Sequence, residues 1–401
     1  MSKVLRFTHN LAAPKITNTK CIIRSHQNIA SFTKSLLKNP SEINKAFPDN
    51  SYESRTINKL LQGLKDKKRS SLAESITLVE SSHPIKKLMG QVLLQLALSE
   101  PTMQPRSQIQ TKCAALLKES HEHKSTLRIG MTGPPGAGKS TFIETFGLHL
   151  VRNYGLKVAV LAIDPSSTRT GGSLLGDKTR MSELSLEGDA YVRPSSARGE
   201  IGGVARNTTE ALTLCESAGY DVTIVETVGV GQSEAAVADM TDVLVLVIPP
   251  AGGDELQGLK RGIVESADVV LVSKSDGDLI PAARRIQTEY TSALKFIPRK
   301  HEQWHPVVAR MSSKTGDGVE AAWRVLMRFY DVMGSCGALE DERRKQRRVW
   351  MWNHIRSSIF SRFKKDVKVM QHLQKITNFV DKKDLTSGIA SDILLNQFFD
   401  C

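Results

Sequence analysis

The stretch TLRIGMTGPPGAGKST, Thr126 to Thr141, decides the fold. Leu127, Ile129 and Met131 supply an apolar strand, and Phe142, Phe146 and Leu150 follow at the spacing of one helix face. Between them, Gly133, Gly136 and Gly138 allow the backbone to bend closely around a polyphosphate, where a Cβ would intrude. The spacing Gly133-x4-Gly138-Lys139-Ser140 is that of a phosphate-binding P-loop. Pro134, Pro135, Ala137 and Thr141 complete the cradle. Lys139 is placed to reach the β and γ phosphates, the Ser140 hydroxyl to ligate Mg²⁺, and the following helix adds its positive N-terminal end. A nucleoside triphosphate with magnesium is therefore expected.

Outward from this loop, β-branched runs alternate with helical stretches from Leu127 to about Met333. The expected strands are Lys157 to Ile163, Ala190 to Val192, Val222 to Glu226, Val243 to Ile248, Val269 to Ser273 and Pro306 to Arg310. This is the pattern of an α/β fold with a mainly parallel sheet covered by helices on both faces. The expected divisions are a basic leader over 1–45, a helical region over 46–125, the P-loop domain over 126–335 and a helical arm over 336–401. In the helical region, Ile57, Leu60, Leu61 and Leu64 mark a first helix. Ser71-x-x-Glu74 predicts a capping box before Leu72, Ile76 and Val79, and Pro84 opens a third helix burying Leu88, Val92 and Leu96. In the arm, Val349, Trp352, Ile355, Ile359 and Phe363 form an apolar seam that fits either core packing or dimerisation. Arg343, Arg344, Lys345, Arg347 and Arg348, following Glu340, Asp341 and Glu342, read as a solvated helix face.

Two loops choose the base. After the strand at Val269 comes Ser273-Lys274-Ser275-Asp276, in which the Asp276 carboxylate can accept from N1–H and the exocyclic amine of guanine. Adenine would leave buried groups unpaired there, at a cost of about 2 to 5 kcal/mol, so GTP and GDP are favoured. Lys274 can lay its methylene stem on the base. Ser273 stands where such loops usually carry Asn, and the loss of a bracing amide is expected. Ser312, Ser313 and Lys314, after the last strand, form a second loop able to meet the guanine carbonyl through backbone N–H groups. Hard cations need oxygen ligands, and Glu226, Asp164 and Asp177 are the carboxylates near strand ends or glycine loops. Glu226-Thr227-Val228-Gly229 is a variant switch in which the Gly229 N–H could meet the γ-phosphate. The catalytic set is then Lys139, Asp177, Glu226 and Gly229. Gln232 lies three residues past Gly229, outside the place where a glutamine orients water, so slow hydrolysis and a stimulating partner are expected.

The chain has 401 residues and a net charge of +13. Met1 to Ser41 carries +7 of that charge with no acid, which leaves too little elsewhere to argue for nucleic acid. Val4, Phe7 and Leu11 share one helical face beside Lys3 and Arg6, the pattern of a mitochondrial presequence. Cys21, Cys113, Cys215, Cys336 and Cys401 lack metal-type spacing and read as reduced thiols. No apolar run is long enough for a membrane span.

GPPGAGKST, AIDPSS from Ala162, GGSLLGDKTRM from Gly171, ETVGVGQSE from Glu226, GGDELQGLKRG from Gly252 and SKSDGDL from Ser273 resemble, in order, the MeaB/ArgK-type P-loop GTPases. The likeness runs from about Ser71 into the carboxyl-terminal helices. It implies a GTPase chaperone that gates adenosylcobalamin loading of methylmalonyl-CoA mutase and protects that enzyme, in the mitochondrial matrix. It further implies Gly133 to Thr141 on the phosphates, Asp276 and Ser312 to Lys314 on guanine, and Asp177 and Glu226 on magnesium. Gly252 to Gly262 would be an additional switch, with Asp254 and Lys260 as its charged contacts. Homodimerisation through the carboxyl-terminal helices and an adenosylcobalamin-transferring enzyme as a further partner follow from the same resemblance. Ser273 and the tail after Lys364 depart from it. Two other functions fit parts of the sequence: a nickel-insertion GTPase, for which His121-x-His123 is the meagre metal signal, and a small-molecule kinase.

Overall fold

A computed structural model describes residues 46–100, 103, 108–113, 126–164, 181–196, 201–227, 236–250 and 261–399. Among them are seven strands and thirteen α-helices. The helices are α1 (Tyr52–Lys65), α2 (Arg69–Val79), α3 (Pro84–Ser99), α4 (Ile109–Lys112), α5 (Lys139–Tyr154), α6 (Ser182–Leu186) and α7 (Ile201–Ser217). Then come α8 (Arg261–Ser266), α9 (Ile280–Ala293), α10 (Val319–Ser335), α11 (Ala338–Lys365), α12 (Val367–Asp381) and α13 (Ser387–Phe399). The strands are β1 (Leu127–Thr132), β2 (Val158–Asp164), β3 (Ala190–Ser196), β4 (Val222–Thr227), β5 (Val243–Ile248), β6 (Val269–Val272) and β7 (Val307–Arg310). They form one sheet in the order β3-β2-β4-β1-β5-β6-β7, every pair parallel.

β1 sits at the centre, with Ile129 opposite Ile224 of β4 on one side and Val243 of β5 on the other. Every residue of β1, β4, β5 and β6 is buried, as a sheet covered on both faces requires. On one face α5 and α10 pack Phe142, Phe146, Trp323, Phe329 and Tyr330 against Ile129, Ile224 and Val245. On the other, α1 to α3 and α7 bury Leu64, Ile76, Leu93 and Leu212 against Leu161, Val225 and Leu244. The helical region thus shares a core with the sheet.

The expected strands all occur, with ends shifted by a residue or two except at β3. That strand continues to Ser196, paired with β2 through Ser195 opposite Ile163. Pro194 halts a propensity reading, but β3 is an edge strand, where a missing N–H is tolerated.

The capping box at Ser71 and Glu74 is not formed. Helix α2 starts two residues earlier, at Arg69, after Lys67 has turned with φ of 57°. Ser71 instead packs into a notch on α1: a Cβ on Gly63 would lie 1.9 Å from its Oγ. Helix α3 begins at Pro84 as expected and buries Val92, but Met89, Leu93 and Ala97 lie deeper than Leu88 and Leu96. It is held between α2 and α7 and so has two inward faces.

One side chain in the basic cluster of α11 is not solvated. Arg344, Lys345 and Arg347 pair with Asp341, Glu342 and Glu340 at the surface. Arg343 is buried under the sheet, where its guanidinium donates to both Asp242 carboxylate oxygens at 2.8 and 2.6 Å and to the Thr126 carbonyl at 2.5 Å. On the same side of α11, Gln346 Nε2 donates to the Thr241 carbonyl and Trp350 Nε1 to the Asp239 carbonyl. The opposite side carries the apolar seam, and Val349, Trp352, Ile355 and Ile359 are uncovered in this chain. Core packing therefore does not account for those four.

The amino-terminal ends of the strands are laced by three aspartates, each standing just before a strand. Asp221, Asp242 and Asp268 accept from the backbone N–H groups of Lys157, Arg128 and Leu244, at 2.9, 2.8 and 2.8 Å. Arg128 forms a second buried pair with Glu216, whose carboxyl is held below its ordinary range by the Arg128 guanidinium despite burial.

Candidate nucleotide site

The loop between β1 and α5 has the backbone its glycines foretell. Gly133, Gly136 and Gly138 take φ of 144°, 78° and 89°. At Gly133 the demand is steric as well, since a Cβ would stand 2.0 Å from the Val247 carbonyl of β5. Ala137 N–H closes a turn on the Pro134 carbonyl at 3.2 Å, leaving Pro135 and Gly136 exposed at the tip. Lys139 opens α5 and is buried; its Nζ donates to the Gly133 and Pro134 carbonyls at 2.7 and 3.0 Å. Ser140, half-buried, and the exposed Thr141 continue the first turn.

The Ser140 hydroxyl donates to Glu226 Oε1 at 2.7 Å. Register makes this contact, because Glu226 pairs with Met131 at the carboxyl end of the sheet, where β1 becomes the loop. A hydroxyl and a carboxylate side by side are hard oxygen donors, and the pair suits Mg²⁺, which takes few protein ligands and fills its shell with phosphate oxygens and water. No group of three His, Cys, Asp or Glu residues suited to a metal occurs among the described residues. Asp164 ends β2 at the same edge, opposite Ser196. Asp177, Gly229, Gln232, Asp254, Lys260 and His121-x-His123 lie outside the described residues, as does the segment 1–45 expected to be a leader. Buried next to Glu226 is Thr227, to which the switch motif gives no part of its own and whose hydroxyl reaches the Met131 carbonyl at 3.3 Å. It is the last residue of β4, directly after Glu226.

The two base loops meet at the ends of β6 and β7. Asp276 Oδ2 accepts from the Ser312 hydroxyl at 2.5 Å, and Ser275 N–H donates to the Met311 carbonyl at 3.1 Å. Ser312 is fully buried, and its Oγ also accepts from the N–H groups of Lys314 and Thr315 at 3.2 and 3.3 Å. The Ser313 carbonyl takes the Thr145 hydroxyl of α5 at 3.2 Å, tying this loop to the helix that follows the phosphate cradle. Lys274 has φ of 51°, and its Cε lies 4.0 Å from where a Gly138 Cβ would stand, so its stem runs beside the P-loop. The expected loss of a brace at Ser273 is corrected. The Ser273 hydroxyl lies 2.7 Å from the Ala137 carbonyl and 3.0 Å from that of Ile248, so a short side chain reaches the P-loop from directly beneath it.

A phosphate loop after the central strand, a serine–glutamate pair at its foot and a paired aspartate and serine loop two strands away define a P-loop GTPase. The solved structure of a LAO/AO transport system kinase matches this chain with a TM-score of 0.63 and 30% identity, covering 86% of this chain and 98% of that one. A family model described as "Methylmalonyl Co-A mutase-associated GTPase MeaB" matches residues 97–368. A mouse protein named "Methylmalonic aciduria type A homolog, mitochondrial" is 49% identical over 346 residues, covering 86% of this chain and 80% of that protein. The protein of the same name from Caenorhabditis elegans is 44% identical over 348 residues, covering 87% and 84%. The Escherichia coli K12 protein "GTPase ArgK" is 37% identical over 349 residues, covering 86% and 98%. The chain belongs to the MeaB family of GTPases.

Proposed function

We propose that this GTPase acts as a mitochondrial-matrix switch that gates adenosylcobalamin loading of methylmalonyl-CoA mutase and protects the loaded enzyme. The observation that carries the reading is the Ser140–Glu226 contact at 2.7 Å, which joins the phosphate loop to the start of the Glu226-Thr227-Val228-Gly229 segment. Magnesium bound through the Ser140 oxygen and a γ-phosphate would leave the Ser140 proton on Glu226 and draw that carboxylate toward the metal's shell. Occupancy of the cradle is thereby felt at the switch. In the proposed site Gly133 to Thr141 hold the phosphates, with Lys139 counterbalancing their charge. Lys274, Asp276 and Ser312 to Lys314 hold guanine, Asp164, Asp177 and Glu226 serve magnesium, and Gly229 senses the γ-phosphate. The family description names the mutase, and the mouse and worm relatives are labelled mitochondrial, which supports the partner and the basic leader over 1–45. The remaining divisions, 46–125, 126–335 and 336–401, belong to the same proposal. Absence of a glutamine at the usual place supports slow hydrolysis without a partner.

The uncovered seam on α11 supports a homodimer through the carboxyl-terminal arm. Trp352 is 62% exposed, and α11 to α13 enclose an apolar groove of about 590 Å³ between Ile359, Phe363, Ile376 and Phe398. The test of the main reading is GTP turnover with and without methylmalonyl-CoA mutase. Stimulation by the mutase, lost in Lys139→Ala, is expected; a turnover indifferent to the mutase would refute the role. An adenosylcobalamin-transferring enzyme is the further partner to add to that assay.

A further inference from the structure

One face of α5 is fastened to the chain just beyond the second base loop. That loop is closed on itself: the Ser312 N–H donates to the Asp317 carbonyl at 2.8 Å and the Gly316 N–H to the Ser312 carbonyl at 3.0 Å. It runs straight into α10, whose ladder opens with the Ala322 N–H on the Gly318 carbonyl at 2.9 Å. The loop and the first turn of α10 therefore move as one piece. Thr145 of α5 touches this piece at the Ser313 carbonyl, but its hydroxyl has one proton and lies 3.2 Å from that carbonyl and 3.1 Å from the Thr141 carbonyl. The firmer link is Glu320, in the first turn of α10. Its Oε2 meets His149 Nε2 at 2.9 Å, and its two oxygens lie 3.0 and 2.9 Å from the Tyr154 hydroxyl. Asn153 Nδ2 donates to His149 Nδ1 at 2.9 Å, which puts the ring proton on Nε2, facing the carboxylate. Burial and Glu320 push the Tyr154 phenol up to about 12, so it keeps its proton to give. Burial works against the Glu320 charge, yet the bonds from Arg324, His149 and Tyr154 hold its carboxyl below the ordinary range. The Tyr154 ring is itself set against buried Trp323, with centroids 6.1 Å apart.

We infer that Glu320 is a positioning residue for guanine: by locking the second base loop to the helix that leaves the phosphate loop, it fixes where that loop meets the guanine carbonyl. The inference rests on the nucleotide site proposed above. Ser312 and Lys314 spend their N–H groups within the loop, on the Asp317 carbonyl and on Ser312 Oγ, so of the three amides the Ser313 N–H is the one left for the base. A single donor at the end of a short loop is only as well aimed as the loop is held. An acid in a first turn suits the helix dipole by itself. The donors sent across from α5, His149 and Tyr154, are what make this one a clamp between elements.

The test is isothermal titration of the full chain, with magnesium, by GDP and by the 5′-diphosphate of 2-aminopurine riboside, which keeps the exocyclic amine and lacks the 6-carbonyl. The parent should prefer GDP by about tenfold or more. The Glu320 side chain is 38% exposed and can be cut back without opening the core. Glu320→Ala should weaken GDP about fivefold, the fold-change of one weakened hydrogen bond, and leave the analogue within about twofold of the parent. Tyr154→Phe, which keeps the packed ring, should weaken GDP about twofold and add nothing further in the Glu320→Ala background. Equal weakening of both ligands marks a loosened fold and overturns the inference, as do an unchanged GDP affinity in Glu320→Ala and strict additivity of the two changes. Should the parent bind both ligands alike, the base-loop reading falls and takes this inference with it; a parent that discriminates, with Glu320→Ala discriminating equally well, sinks the inference alone.

Discussion

Arg343→Met removes one cation from the underside of the sheet and tests how α11 is held. The Arg343 and Asp242 side chains are 6% and 1% exposed, so solvent cannot replace what is lost. Asp242 would keep the Arg128 N–H at 2.8 Å and lose both guanidinium bonds, and the Thr126 carbonyl would lose a donor. Breaking a buried ion pair from one side costs about 3 to 5 kcal/mol, because the remaining charge has no water to turn to. At about 2 to 4 °C per kcal/mol for a domain of this size, the melting temperature should fall by roughly 6 to 20 °C. Asp242→Asn with Arg343→Met removes both charges and should lose clearly less than the two single changes added together. Calorimetry of the four proteins supplies the cycle, and hydrogen exchange at the Arg128 amide reports the strand edge directly. A drop under about 2 °C for Arg343→Met, or strict additivity in the cycle, would refute the claim that this pair fastens the arm to the sheet.

Three further outcomes follow from particular geometries. Gly133→Ala should abolish nucleotide binding, since its Cβ would meet backbone, whereas Gly136→Ala has open space and loses only about 1 to 2 kcal/mol to its positive φ; isothermal titration with GDP separates them. With a maleimide at pH 8 and peptide mapping, Cys336 should label readily. Cys113, buried and pushed up to about 11, and Cys215, raised further by complete burial, should label only on unfolding. Burial, with Arg206 and Lys87 nearby, pushes His354 down to about 4, so the folded protein keeps it neutral while the unfolded chain takes a proton below about 6.5. Its contribution is complete above that value and is lost as pH falls toward 4, and urea titrations of His354→Gln should show a flatter dependence over that window.

What could be read before the fold was known depended on whether a residue's role was local. The P-loop, the strands and Pro84 at the start of α3 act through backbone preference and near neighbours, and all appear where the sequence puts them apart from the longer β3. Arg343 does not differ locally from Arg344 or Arg347: all three follow the same acidic run, and only the distant Asp242 separates the buried one. Ser71 carries a capping signature that lost to a glycine notch on another helix. The lacing aspartates were more legible than they looked, since Tyr220-Asp221-Val222, Thr241-Asp242-Val243 and Ala267-Asp268-Val269 each set an acid immediately before a valine-led strand. At the site, Glu226 and Ser140 could be named separately from motif spacing, but that they touch is a matter of β1–β4 register. The Ser273 brace was misjudged because side-chain length alone does not reveal how near the next strand lies.

β5 contributes no side chain to the proposed site, yet it sets the site's scale. It lies between β1, which leads into the phosphate loop, and β6, which leads into the base loop. Two strand steps of about 4.8 Å separate those loops by about 9.6 Å at the sheet. The strand works as a yardstick, with the Val247 carbonyl against Gly133 at one side and the Ile248 carbonyl against Ser273 at the other. A ligand is then gauged by the distance between its base and its phosphates before any side chain reads either end, and no substitution within the loops can reset that measure.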